Sequence, residues 1–174
     1  MGGQRTLSAT LLFIVLIAGR YFWARLETTP VHVDTSIDRL APNFSLPETN
    51  GGQVALDSYR GQPVLLVFWT TSSGDCQREL PLVSRMAPEF RSRGIAVVTI
   101  YEGEDVDHAK EFLRANSVGV MSLVDIDGDV SGSYRVIGMP KLVLIGTDGK
   151  ILRTSEGVTE EKALREWMDV VRPS

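Results

Sequence analysis

Residues 64–81 read VLLVFWTTSSGDCQRELP, and this stretch decides the fold. Its first six residues, Val64 to Trp69, are apolar and rich in β-branched and aromatic side chains, which predicts a short strand buried on both faces. The polar run of residues 70–75 ends that strand. From Cys76 to Arg91 apolar residues recur at Leu80, Leu82, Val83, Met86 and Phe90 among charges, the period of a helix with one apolar stripe. A strand running directly into a helix is the unit from which layered α/β folds are built.

Working outward, Ile95 to Tyr101 predicts a second buried strand, and Val106 to Asn116 a second helix with Ala109, Phe112 and Leu113 on one face. Met121 to Val124 reads as a short strand and Val130 to Tyr134 as a brief helical turn. Leu142 to Ile145, the turn Thr147-Asp148-Gly149-Lys150, and Ile151 to Thr154 predict a hairpin. Thr159 to Val171 closes the chain as an amphipathic helix, with Thr159 expected as its N-cap. Met139-Pro140 stands just before a strand, where a residue without an N–H is tolerated and where a cis bond costs little. The order of elements predicts an α/β sandwich with a mixed sheet flanked by helices.

The composition narrows the function. The chain has 174 residues, enough for one domain, with 43% apolar and 23% charged side chains. One cysteine excludes an intramolecular disulfide and any Cys-rich zinc module, and two histidines, His32 and His108, make no metal cage. No metal and no organic cofactor is expected. A net charge of -4 leaves no electrostatic footprint for nucleic acid.

That charge is unevenly spread: residues 1–30 carry +2 and residues 31–174 carry -6. The basic part surrounds an apolar run, Leu7 to Ala18, with Arg5 before it, Arg20 after it, and Tyr21-Phe22-Trp23 placed as an interfacial aromatic belt. We read residues 1–26 as a signal-anchor transmembrane helix, residues 27–40 as a tether, and residues 41–174 as the folded domain, held on the extracytoplasmic face of a membrane. A cleaved signal is the competing reading, although Ala18-Gly19 is followed by Arg20 and bulky aromatics rather than by a small-residue cleavage site.

Four segments together carry a family resemblance: Ala41-Pro42-Asn43-Phe44, the strand into Phe68-Trp69, the helix entry from Cys76 to Pro81, and Gly138-Met139-Pro140 ahead of a strand and an Asp-Gly turn. Over residues 40–171 the chain resembles the thioredoxin-like redoxins, most closely the membrane-anchored thiol:disulfide interchange proteins of the TlpA/ResA type. The resemblance implies a thioredoxin-like fold, protein thiols or disulfides as partners, and a groove beside the proline loop. That family's active site reads W-C-x-x-C. Aligned on Phe68-Trp69, this chain has Ser72 and Ser73 before Gly74-Asp75-Cys76, so serine stands at the attacking position and Cys76 at the resolving one. Dithiol exchange needs a thiolate at the exposed helix start and a second thiol to resolve the mixed disulfide. A serine supplies neither, which excludes an autonomous dithiol reductase.

Three functions follow. The first is a one-cysteine mechanism, with Cys76 forming mixed disulfides and the Ser73 hydroxyl beside it. The second is a non-catalytic binding or chaperone module, with Trp69, Ile137, Met139 and Pro140 shaping a groove for an extended polypeptide. The third is a peroxiredoxin-like peroxidase through the S-x-x-C spacing, but Trp69 stands where the proline of that motif belongs. Simpler readings run alongside: Cys76 as an inert core residue, Glu79 as a surface carboxylate of a first helical turn or a water-linked proton carrier for Cys76, and His108 as a solvated helix residue. Asp125-Ile126-Asp127-Gly128-Asp129 is read as a turn rather than a calcium loop, since its glycine comes too early.

Overall fold

The computed structural model describes residues 37–171. The signal-anchor helix read in residues 1–26 and most of the tether lie outside the described residues. Among the described residues no helix is long and apolar enough to cross a membrane.

Among the described residues seven strands and four α-helices follow one another: β1 Ser45–Pro47, β2 Gln53–Ala55, β3 Val64–Trp69, α1 Gly74–Ser92, β4 Ala96–Glu102, α2 Val106–Ala115, β5 Met121–Asp125, α3 Asp129–Ser133, β6 Lys141–Ile145, β7 Ile151–Glu156 and α4 Glu161–Val170. The central sheet has the order β5-β4-β3-β6-β7. β3, β4 and β5 are parallel, whereas β6 and β7 are antiparallel to their neighbours, so the sheet is mixed as expected. This is a thioredoxin-like α/β fold.

β3 lies at the centre and is buried at every residue. Successive side chains of a strand point to opposite faces, and the two faces take different partners. Leu65, Val67 and Trp69 pack with Cys76, Leu80, Val83 and Phe90 of α1, Leu113 of α2 and Leu164 of α4. Val64, Leu66 and Phe68 pack with Phe44, Leu46 and Tyr134, beneath the β1–β2 hairpin and α3. Full burial of each such large side chain contributes about 1.5–3 kcal/mol.

The expected elements appear within a few residues of their predicted ends. The β1–β2 hairpin and the short 3-10 turn at Leu56–Tyr59 were not expected. Last in the tether, residues 38–40 are already part of the domain: Asp38 N–H donates to the Ile151 carbonyl, and Leu40 bridges Lys150. At the other margin, Glu48 bridges Leu123 of β5. Within Asp125–Asp129, residues 126–128 bend the chain from the end of β5 into α3, and the buried Asp125 carboxylate accepts from the Ser131 N–H and hydroxyl at 2.7 and 2.8 Å.

The last helix needs a correction. Its N-cap is Glu160, not Thr159, and no side chain caps it. The Thr159 hydroxyl is engaged with Ser155 instead, and its N–H is used elsewhere.

Candidate functional site

The carboxyl end of β3, the start of α1 and the loop before β6 meet at one end of the sheet. Ser73 is the N-cap of α1, in extended backbone conformation, and its Oγ accepts from the Cys76 N–H at 3.4 Å. The same hydroxyl donates to the Met139 carbonyl at 3.0 Å, across 66 residues of sequence. Met139-Pro140 is a cis peptide. Pro140 directly precedes β6, where its missing N–H costs no ladder bond, and its carbonyl accepts from the Gly157 N–H at 2.8 Å. One oxygen therefore joins the helix start to the proline loop.

Cys76 has no exposed surface. It sits on the apolar stripe of α1 and packs with Trp69 and Leu80 in the core. Burial pushes its thiol pKa up, and the carboxylates of Asp75 and Glu79 push the same way. A hydrogen bond from the Thr70 N–H opposes them, while the Ser73 hydroxyl proton is already given to the Met139 carbonyl. The net direction is upward, so the thiol form prevails at neutral pH.

Two sequence expectations change here. Glu79 is not a surface carboxylate: it is fully buried, on the face of α1 that carries Cys76, Leu80 and Val83. Its Oε2 accepts from the Thr159 N–H at 2.9 Å, and its Oε1 has no protein partner. Burial raises its pKa to about 7, with the Thr159 bond acting against the shift. Trp69 is fully buried too, its ring 4.9 Å from Tyr101 and 5.3 Å from Phe112, so it backs the site and offers the groove no surface. Met139 is half-buried and Ile137 is 86% exposed, so the loop supplies the apolar surface.

Of the expected residues, the structure brings Ser73, Cys76, Met139 and Pro140 together. Two groups escaped the reading as buried polar contributors. Glu79 falls at the i+3 position from Cys76, and the helical period alone could have put it on the buried face. Lys141, the only charged residue of β6, signalled itself as a lysine opening an apolar strand. Among the described residues no group of three or more His, Cys, Asp or Glu is arranged to hold a metal. His108 is exposed on α2.

The AhpC/TSA family model matches residues 37–154. The thiol-disulfide oxidoreductase ResA of Bacillus subtilis is 30% identical over 133 residues, covering 76% of this chain and 74% of that one. ResA of Geobacillus thermodenitrificans is 25% identical over 172 residues, 98% of each chain. Among solved structures, a Chlorobium tepidum protein described as a thiol:disulfide interchange protein DsbE superposes with a TM-score of 0.72 at 28% identity, covering 77% of this chain and 96% of that one.

Proposed function

This chain belongs to the AhpC/TSA family and has thiol-disulfide oxidoreductases as relatives, and from that premise we propose that it binds thiol-bearing polypeptides without turning over disulfides by itself. Ser73 stands in the place of the family's first active-site cysteine. The observation that carries the reading is the burial of Cys76, the only sulfur able to exchange, beneath the Ser73 cap. A nucleophile with no exposed surface and a raised pKa attacks no incoming disulfide at a useful rate. The loop, by contrast, offers apolar surface, with Ile137 86% exposed two residues before the Met139 carbonyl that Ser73 engages.

The one-cysteine mechanism is the second reading. It is favoured by the Thr70 N–H aimed at the sulfur, and by Glu79, whose free Oε1 and pKa of about 7 suit a proton acceptor. Attack of a Cys76 thiolate on a client disulfide would form the mixed disulfide and release the client's other thiolate; a partner thiol would resolve it. A peroxidase has less support, since among the described residues no cation acts on the thiol to favour its thiolate.

In the same reading, residues 1–26 anchor the protein and keep the domain on the extracytoplasmic face. Similarity to the Geobacillus relative over 98% of the chain supports a shared amino-terminal segment. Full-length protein remains in the membrane pellet after alkaline extraction, and removal of residues 1–34 releases it; release of the intact chain overturns the anchor.

A fluorescent unfolded polypeptide with a single cysteine decides between the readings. Binding that is reversible and equal in the wild type and Cys76→Ser supports the binding module. A disulfide-linked adduct that disappears in Cys76→Ser overturns it in favour of the one-cysteine mechanism.

A further inference from the structure

Strand β6, sequence KLVLI, is buried at all five residues, yet it opens on a lysine that is only 6% exposed. Burying an ammonium is costly, and an apolar side chain of similar volume would fill the space. The Lys141 Nζ donates to Glu156 Oε1 and to the Arg135 carbonyl, each at 3.0 Å. Glu156 lies directly opposite Lys141 in the β6–β7 ladder, so strand pairing supplies that partner. Strand pairing does not supply Arg135. That carbonyl lies six residues back, at the far end of the loop, and the ammonium closes residues 135–141 into a ring.

Other bonds hold the two ends of the same segment: the Val136 N–H donates to the Ser131 carbonyl at its start, and at its end the Ser73 hydroxyl donates to the Met139 carbonyl and the Gly157 N–H to the Pro140 carbonyl. Between these pins stands Ile137, 86% exposed. An apolar side chain on a fixed loop binds with little ordering cost, whereas on a loose loop the same contact loses affinity. We infer that Lys141 is a positioning residue, and that its ammonium sets the Arg135–Pro140 loop so that Ile137 meets a bound polypeptide. The clamp stands on the geometry alone; the role of Ile137 rests on the polypeptide-binding reading above.

The test uses the full-length chain and its Lys141→Met and Lys141→Arg variants. Hydrogen exchange reads the clamp, because the Val136 and Gly157 amides are bonded within and beside the loop. Lys141→Met is expected to speed exchange at these amides about tenfold or more while α1 and α4 keep wild-type rates, and Lys141→Arg is expected to restore protection. Exchange within about twofold of wild type, or a rise spread evenly over the sheet, overturns the inference. Should Lys141→Met fail to fold, Glu156→Ala removes one partner of the ammonium. Exchange at Val136 must then rise about threefold, and no rise overturns the clamp.

A double-mutant cycle reads the coupling, with the fluorescent polypeptide as probe. Ile137→Ser is expected to weaken binding about tenfold in the wild type and less than about threefold in Lys141→Met. Equal losses in both backgrounds overturn the positioning role. Absence of probe binding by the wild type overturns the polypeptide-binding reading, and the exchange result still decides the clamp.

Discussion

The Glu79 carboxylate on α1 accepts a hydrogen bond from the backbone N–H of Thr159, 80 residues further along the chain. The pairing explains why Thr159 does not cap α4. Its N–H serves a buried acid, and the acid's other oxygen is left without a partner in the core. The start of α1 and the approach to α4 are thereby joined through one titratable group.

Stability should fall as the pH rises through this group. The folded state holds the Glu79 proton up to about pH 7, while the unfolded chain releases it near 4.5. Between those values the native state binds more protons, so raising the pH favours unfolding, by roughly 3 kcal/mol over the window. Urea unfolding from pH 5 to pH 8 should show this decline, and Glu79→Gln should flatten it while keeping an acceptor for Thr159. A slope that survives in Glu79→Gln would assign the effect to another group.

Cys76 should resist alkylation. With no exposed surface and a raised pKa, it should react with iodoacetamide at pH 7 at least about 100-fold more slowly in the native protein than in urea. Mass spectrometry of timed samples gives both rates. Equal rates would show that the α1 start opens readily, and would restore Cys76 as a working nucleophile.

Ser73→Cys should gain what the wild type lacks. The new thiol would sit at the N-cap of a 19-residue helix, where unpaired N–H groups and the dipole stabilise a thiolate. Mild oxidation should join it to Cys76 with the loss of two hydrogens, and insulin reduction should appear. The variant should also lose about 1 kcal/mol of stability, because sulfur replaces the cap hydroxyl poorly. A variant that folds but forms no internal disulfide would show that the scaffold no longer supports exchange.

Strand periodicity made most of the fold legible, because β3 and β6 each send alternate residues to two separate cores. The β1–β2 hairpin was not legible, since strands of three residues leave no repeat to detect. At the site, the spacing of Ser73 and Cys76 and the Met139-Pro140 pair marked the right place. What escaped was burial. Trp69 was read as core on one side with a face left for the groove and Glu79 as solvated, yet Tyr101 and Phe112 cover the first and the α4 approach covers the second. The partners of such contacts, so distant in sequence, leave no local trace, although the helical period from Cys76 already marked the Glu79 face as buried. Thr159 failed as a cap for the same reason.

The short pairings at residues 38–40 and at Glu48 bear on behaviour at high concentration. An open strand margin is a template on which copies of a chain can add to one another. Here the amino-terminal approach runs beside the start of β7 at Ile151, and the residue after β1 runs beside β5 at Leu123, so each margin of the sheet is met over part of its length by the protein's own backbone. An added copy would therefore meet the chain's own backbone at one end of each edge strand, which shortens the edge it could pair with.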